Sequence, residues 1–185
     1  MNGPTLSLQY RGGGLHSVVM LLGGNQGPRA RLLREAFLLL TREVGCCKGA
    51  SSFYESEAWG FSTDAPPFLN RVLFLETLLS PQEAMEKALS IEERLGRVRL
   101  GDAASSFASR TVDIDILFYD HLVVSTPSLV IPHPRMASRK FVLVPLAELI
   151  PAETHPVLGI TVKQLLEQCN DVMWVRHYKE SREAI

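Results

Sequence analysis

Apolar positions along the chain follow two periods, and the alternation between them outlines the elements. "SVVMLLG" (17–23) is an unbroken apolar run of strand length, closed by the glycine-rich "GGNQGPR". "RARLLREAFLLLTRE" spaces its apolar residues three and four apart with charges opposite, and Pro28 suits a first helical turn. "KGASSFYESEA" reads as one strand, followed by the loop "WGFSTDAPP". "FLNRVLFLETLL" (68–79) is a β-rich run whose polar members Asn70, Arg71 and Glu76 sit near its ends. Ser80-Pro81-Gln82-Glu83 predicts a helix start, with Ser80 as N-cap, Pro81 at the first helical position and Glu83 at the third. Ala84, Ala88, Ile91 and Leu95 give that helix a buried stripe.

A loop of small residues, "GRVRLGDAASSFAS", then leads into "SRTVDIDILFYD" (109–120). Strand, helix, strand, strand, helix, strand is the order of a ferredoxin-like α+β sandwich with a mainly antiparallel sheet. The remainder, from about residue 120, predicts a C-terminal addition. It comprises a short strand pair, a helix around "KFVLVPLAEL", a helix around "TVKQLLEQC" and a last strand in "VMWVRHY". No repeat or low-complexity linker divides the chain, so residues 1–185 read as one domain, with 1–16 (including Gly12) as a flexible lead-in.

Composition narrows the function classes. With 46% apolar residues and a net charge of -1, nothing draws the chain generally to nucleic acid or membrane. Anion binding must come from local clusters. Three cysteines without metal-ligand spacing read as reduced thiols in a cytoplasmic protein. No run has the length of a signal-peptide core or a membrane span. Small-molecule substrates and a monomer are the expectation.

Candidate chemistry concentrates in the DID strand. Asp is uncommon in strands, and like charges on one face repel. Alternation points Val112, Ile114, Ile116 and Phe118 to one face, and Thr111, Asp113, Asp115, Leu117 and Tyr119 to the other. A half-solvated strand with polar residues outward is the plain alternative. Against it, the second face turns apolar again at Leu117 and Tyr119, and Arg110 adjoins the pair. Two carboxylates about 7 Å apart along a strand suit Mg²⁺, which takes few carboxylates together with water and phosphate oxygens. They can hold two ions roughly 4 Å apart. Arg97, Arg99 and Arg110, with His133, Arg135 and Arg139 in "IPHPRMASRKF", supply cations matched to phosphate. Arg97 equally suits a helix C-terminus, and His133 a loop position satisfied by backbone. "GGNQGPR" lacks the P-loop and dinucleotide patterns, so Gly23, Gly24 and Gly27 read first as a tight turn and only second as a phosphate cradle.

"LGGNQGPR", "SSFYESEAWGF", "PPFLNRVLFLET", "IEERLGRVR", "SRTVDIDILFYD" and "IPHPRMASRKFVLVPLAEL" occur in that order. Together, over about residues 18 to 151, they closely resemble the 6-hydroxymethyl-7,8-dihydropterin pyrophosphokinases of the folate pathway. The resemblance implies pyrophosphoryl transfer from ATP to the pterin hydroxymethyl oxygen with release of AMP, two Mg²⁺ ions and a ferredoxin-like fold. It implies that Asp113 and Asp115 bind metal, and that Arg97 and Arg99 form the basic pair on the loop closing over ATP. Glu92, Arg110, His133 and Arg139 fall near the nucleotide by the same comparison. Ser56, Trp59, Phe68, Asn70 and Phe141 fall on the pterin side. Aromatic faces suit a flat bicycle, and a side-chain amide answers the donor and acceptor pattern of its edge. The phenylalanines would otherwise read as core. Phe107-Ala108-Ser109, Leu100 and Ser56-Glu57 depart from the family's usual residues and bear on loop closure and the pterin loop. A Mg²⁺-dependent phosphohydrolase or a ligand-binding ferredoxin-like domain are the alternatives.

Overall fold

The longest strand of the computed structural model, which describes residues 14–58, 65–97 and 110–179, is β4 (Phe68–Thr77). On one side it pairs over Leu69–Thr77 with β1 (His16–Gly24), which pairs in turn with β5 (Asp113–Tyr119). On the other side it pairs with β2 (Cys46–Ala50) and β3 (Tyr54–Ser56). A later strand, β8 (Val175–His177), extends the sheet beyond β3. Every pairing in this six-stranded sheet is antiparallel, so the fold is mixed α+β.

Helices α1 (Arg29–Glu43) and α2 (Pro81–Arg94) cover one face. Val18, Met20 and Leu22 of β1 and Leu69, Leu73 and Leu75 of β4 bury there against Leu33, Leu40, Ala88 and Ile91. Each such leucine or isoleucine stabilises the fold by roughly 2 kcal/mol over its exposed state. The start of α2 has the expected capping box. The Ser80 N–H donates to Glu83 Oε2 at 2.7 Å, and the Glu83 N–H to Ser80 Oγ at 3.3 Å. On the opposite face, Val19, Leu21, Val72 and Phe74 pack against Val142, Leu146 and Val162. Those residues come from α3 (Lys140–Leu149) and α4 (Val162–Glu167), preceded by the short hairpin β6 (Val124–Ser125) and β7 (Val130–Ile131).

Two expectations need correction. The single strand read in "KGASSFYESEA" is two, because Ser51 interrupts the ladder. Its Oγ accepts the Val72 N–H at 3.0 Å and its carbonyl accepts Arg71 Nε at 2.9 Å, so the chain steps sideways before β3. In β5 the alternation also breaks. Val19 pairs with Phe118 but Met20 with Ile116, which leaves Leu117 as the extra residue of a bulge. Phe118 therefore joins the α3 face beside Leu117, and Tyr119 joins the α1–α2 core, the reverse of the strict two-residue pattern. The bulge follows the acidic pair, so Asp113 and Asp115 keep their expected face.

Candidate active site

Antiparallel register sets Asp113, Gly23 and Asn70 in one row across β5, β1 and β4. All three stand on the α3 face, as alternation from Leu21 and Val72 requires. With strands about 4.8 Å apart, Asp113 and Asn70 lie about 10 Å from each other at the backbone. Gly23 puts no side chain between them, and a Cβ there would come within 3.2 Å of Asn70 Oδ1. At Gly24 a Cβ would stand 2.3 Å from the Thr111 carbonyl oxygen, so only glycine lets β1 approach the start of β5 so closely.

The Asp113 end of the row is charged throughout. Arg97 pairs with Asp113 Oδ1, and Arg110 with Asp113 Oδ2. Glu92, 1% exposed at the end of α2, pairs with Arg97 and accepts the Ile114 N–H at 2.7 Å. That bond fixes the peptide between the two aspartates. Burial pushes the Asp115 carboxyl up to about 7; Asp113 and Glu92 add to the shift, and Arg110 and Arg139 oppose it. Burial alone would lower Arg97, but Asp113 and Glu92 hold it above the ordinary arginine range. The segment before α3 brings His133 and Arg139 to the same side, where the His133 N–H donates to the Leu117 carbonyl at the bulge. Burial, then Arg139 and Arg135, lowers His133 to about 4, so its ring is neutral at physiological pH. Its Nδ1 accepts the Arg135 N–H at 3.3 Å, which leaves the proton on Nε2.

At the other end the partners are neutral. Asn70 Nδ2 donates to Ser56 Oγ at 2.9 Å, and both residues are 1% exposed. Phe68 is paired with Ser56 in register. Phe141, in the first turn of α3, packs against the core of that face, with the Arg139 guanidinium 5.6 Å from its ring centre. The sequence-predicted residues thus separate into an acidic and basic group (Glu92, Arg97, Arg110, Asp113, Asp115, with His133 and Arg139) and a neutral group (Ser56, Phe68, Asn70). Trp59, Arg99, Leu100 and Phe107-Ala108-Ser109 lie outside the described residues, as does the lead-in up to residue 13.

"GGNQGPR" is a turn in which the N–H groups of Asn25, Gln26 and Arg29 are used within the protein. Asn25 and Gln26 donate theirs to the Arg110 carbonyl at 3.0 and 3.3 Å, and Arg29 donates to Gly27, whose φ is +65°. Residues not singled out as site residues by sequence reasoning hold the frame instead. The Asn25 side chain bridges Arg110 and Pro66. Arg29 donates to the Pro67 carbonyl at 2.6 Å and to Glu55 at 2.8 Å, and Arg176 donates to the other Glu55 oxygen at 2.7 Å. The only sequence signal for these was an Asn and an Arg within a glycine turn.

Hard oxygen donors beside arginines match magnesium with phosphate better than zinc or a redox metal. Among the described residues no three His, Cys, Asp or Glu side chains group to hold a metal, so the aspartate pair needs oxygens from elsewhere.

Residues 19–151 match the protein-family model for 7,8-dihydro-6-hydroxymethylpterin-pyrophosphokinase. The chain is 40% identical over 154 residues to the 2-amino-4-hydroxy-6-hydroxymethyldihydropteridine pyrophosphokinase of Synechocystis, covering 83% of this chain and 76% of that protein. It is 40% identical over 129 residues to the Bacillus subtilis protein of the same name, covering 69% and 74%. The folic acid synthesis protein fol1 of Pneumocystis carinii is 34% identical over 155 residues, which span 84% of this chain but 20% of that longer protein. Among solved structures, Plasmodium falciparum HPPK-DHPS with pteroate superposes with a TM-score of 0.65 at 18% identity. It covers 83% of this chain and 42% of that one, a likeness of fold.

Proposed function

Since the chain belongs to the 7,8-dihydro-6-hydroxymethylpterin-pyrophosphokinase family, we propose that its reaction runs along the row Asp113–Gly23–Asn70. The protein is a diphosphotransferase of folate synthesis with ATP as co-substrate. The hydroxymethyl oxygen of the pterin attacks the β-phosphorus of ATP and the bond to the α-phosphate oxygen breaks. AMP leaves, the pterin carries the diphosphate, and the hydroxyl proton is lost. One observation carries the placement: an acidic corner and a buried side-chain amide face the same way across a glycine that puts no side chain of its own between them.

Asp113 and Asp115 are the residues that would hold magnesium, and we assign them two ions. Part of the rise of the Asp115 carboxyl, after burial, comes from Asp113 and Glu92, a repulsion that a nearby dication would relieve. When bound, magnesium neutralises phosphate charge and polarises the attacking hydroxyl. Arg97 and Arg110 exchange Asp113 for phosphate oxygens, and Arg139 adds a third guanidinium. Arg99 joins them by its place in the sequence. His133, neutral with a proton on Nε2, donates a hydrogen bond rather than a charge. Glu92 is occupied within the protein and acts on the nucleotide side by holding the Ile114 peptide. Asn70 and Ser56 read the pterin edge, while Phe68, Phe141 and Trp59 supply its apolar surroundings.

The order β5-β1-β4-β3-β8 under α1 and α2 supports a ferredoxin-like reading, with β6–β8, α3 and α4 as a C-terminal addition to one domain. Both half-sites lie in one chain of near-zero net charge, which supports a monomer that needs no nucleic acid. Among the described residues no helix is long and apolar enough to cross a membrane. The unpaired Cys46, Cys47 and Cys169 support a reducing, cytoplasmic setting.

Steady-state kinetics of Asp115→Ala with Mg²⁺ in excess tests the assignment. The expected result is a loss of kcat of about 1,000-fold or more. Retention of most of kcat would contradict the metal role of the pair.

A further inference from the structure

Asn25, 4% exposed in the turn between β1 and α1, joins backbone from both ends of the row. Its Oδ1 accepts the Arg110 N–H at 2.9 Å, and its Nδ2 donates to the Pro66 carbonyl at 3.2 Å. Its own N–H donates to the Arg110 carbonyl at 3.0 Å. Arg110 stands three residues before the acidic strand and pairs with Asp113, whereas Pro66 stands two residues before Phe68 on the pterin side.

The chemistry of the segment explains why an amide is needed. Proline has no N–H, so the stretch Pro66-Pro67 can be fixed by hydrogen bonds only through its carbonyls. Arg29 takes the Pro67 carbonyl and Asn25 takes that of Pro66. Asn25 must at the same time accept from Arg110. Aspartate lacks the donor, and serine is too short to span both partners. Turning the amide over would set donor against donor and acceptor against acceptor, so the orientation is unique.

We propose that Asn25 is a positioning residue that fixes the spacing between the phosphate side and the pterin side, so that hydroxyl and β-phosphate are presented in line. The proposal rests on the pyrophosphokinase reading above. Misplacement by about 1 Å between two reacting groups is enough to cost a large factor in rate. Loosening this staple should therefore act on catalysis and pterin affinity more than on ATP affinity.

The test compares wild type, Asn25→Asp and Asn25→Ala by steady-state kinetics in both substrates, with thermal unfolding of each. Asn25→Asp keeps the acceptor for Arg110 but sets an oxygen against the Pro66 carbonyl. It should raise the pterin KM about tenfold and leave the ATP KM within about twofold. Asn25→Ala removes both side-chain bonds and should also lower kcat about tenfold. Should Asn25→Asp fail to fold, Asn25→Ser takes its place, with a rise in pterin KM expected and unchanged constants counting against the proposal. KM values and kcat per folded molecule equal to wild type, with only a lower unfolding temperature, would reduce Asn25 to a packing residue and overturn the proposal. Absence of AMP formation by the wild type would instead contradict the reaction itself, so the two failures are distinguishable.

Discussion

Asp113 carries an arginine on each carboxylate oxygen, while Asn70, about 10 Å along the same row, shares a single neutral hydrogen bond with Ser56. Both ends are pre-arranged, but by different physics. At the charged end, Arg97 and Arg110 balance the carboxylate now and can exchange it for phosphate oxygens of similar geometry. In the proposed site, binding there would swap partners, with a strength that depends on ionic strength and metal. At the neutral end the amide and hydroxyl are buried and already aligned. In the proposed site, selectivity there would come from the cost of leaving such groups unmatched by the wrong ligand. On the proposed reading, one end supplies charge for the reaction and the other selects what reacts.

The largest expected effect that separates the two ends lies at Asn70. Asn70→Ala should raise the pterin KM about a hundredfold and leave the ATP KM within about twofold. Equal effects on both substrates would erase the division. Gly23→Ala sharpens it next, because the added Cβ meets Asn70 Oδ1 at 3.2 Å. About a tenfold rise in pterin KM is expected, measured by substrate saturation, with Mg²⁺ dependence unchanged. Arg97→Ala should produce opposite signs. Asp113 and Glu92 would lose a cation, so Mn²⁺ binding to the free protein, followed by electron paramagnetic resonance, should tighten about threefold to tenfold while kcat falls. Weaker Mn²⁺ binding would break the partner-exchange picture.

The last effect concerns the stability of the frame and leaves the division between the two ends untouched. Burial pushes the Glu55 carboxyl up, but Arg176 and Arg29 outweigh it and hold it below its ordinary 4.5. A lowered folded value means the pair contributes in full above the unfolded pKa and is lost as pH falls through the folded one. Glu55→Gln should therefore cost about 2 kcal/mol at neutral pH. The gap from wild type should narrow as pH falls below about 4.5 in denaturant titrations.

The sequence made some of this architecture readable, and the reason lies in range. The capping box of α2 spans four residues and was visible as Ser80 to Glu83. The acidic face of β5 followed from alternation as far as Ile116. The bulge at Leu117 depends on how β1 pairs with β5, which no local pattern encodes, so Phe118 and Tyr119 were assigned to the wrong faces. Ser51 looked like one small residue in a strand, yet its side chain replaces a ladder bond to Val72 across 21 positions. Asn25 is the clearest case. A turn was legible around it, but its partner Arg110 lies 85 residues away. The row itself was hidden for the same reason, since Asp113 and Asn70 meet only through their common neighbour Gly23.

The most direct measurement incubates the protein with 6-hydroxymethyl-7,8-dihydropterin, ATP and Mg²⁺ and follows AMP. AMP is expected in equal amount to pterin diphosphate, with none formed when the pterin is omitted. No AMP, or phosphate released from ATP without pterin, would contradict it.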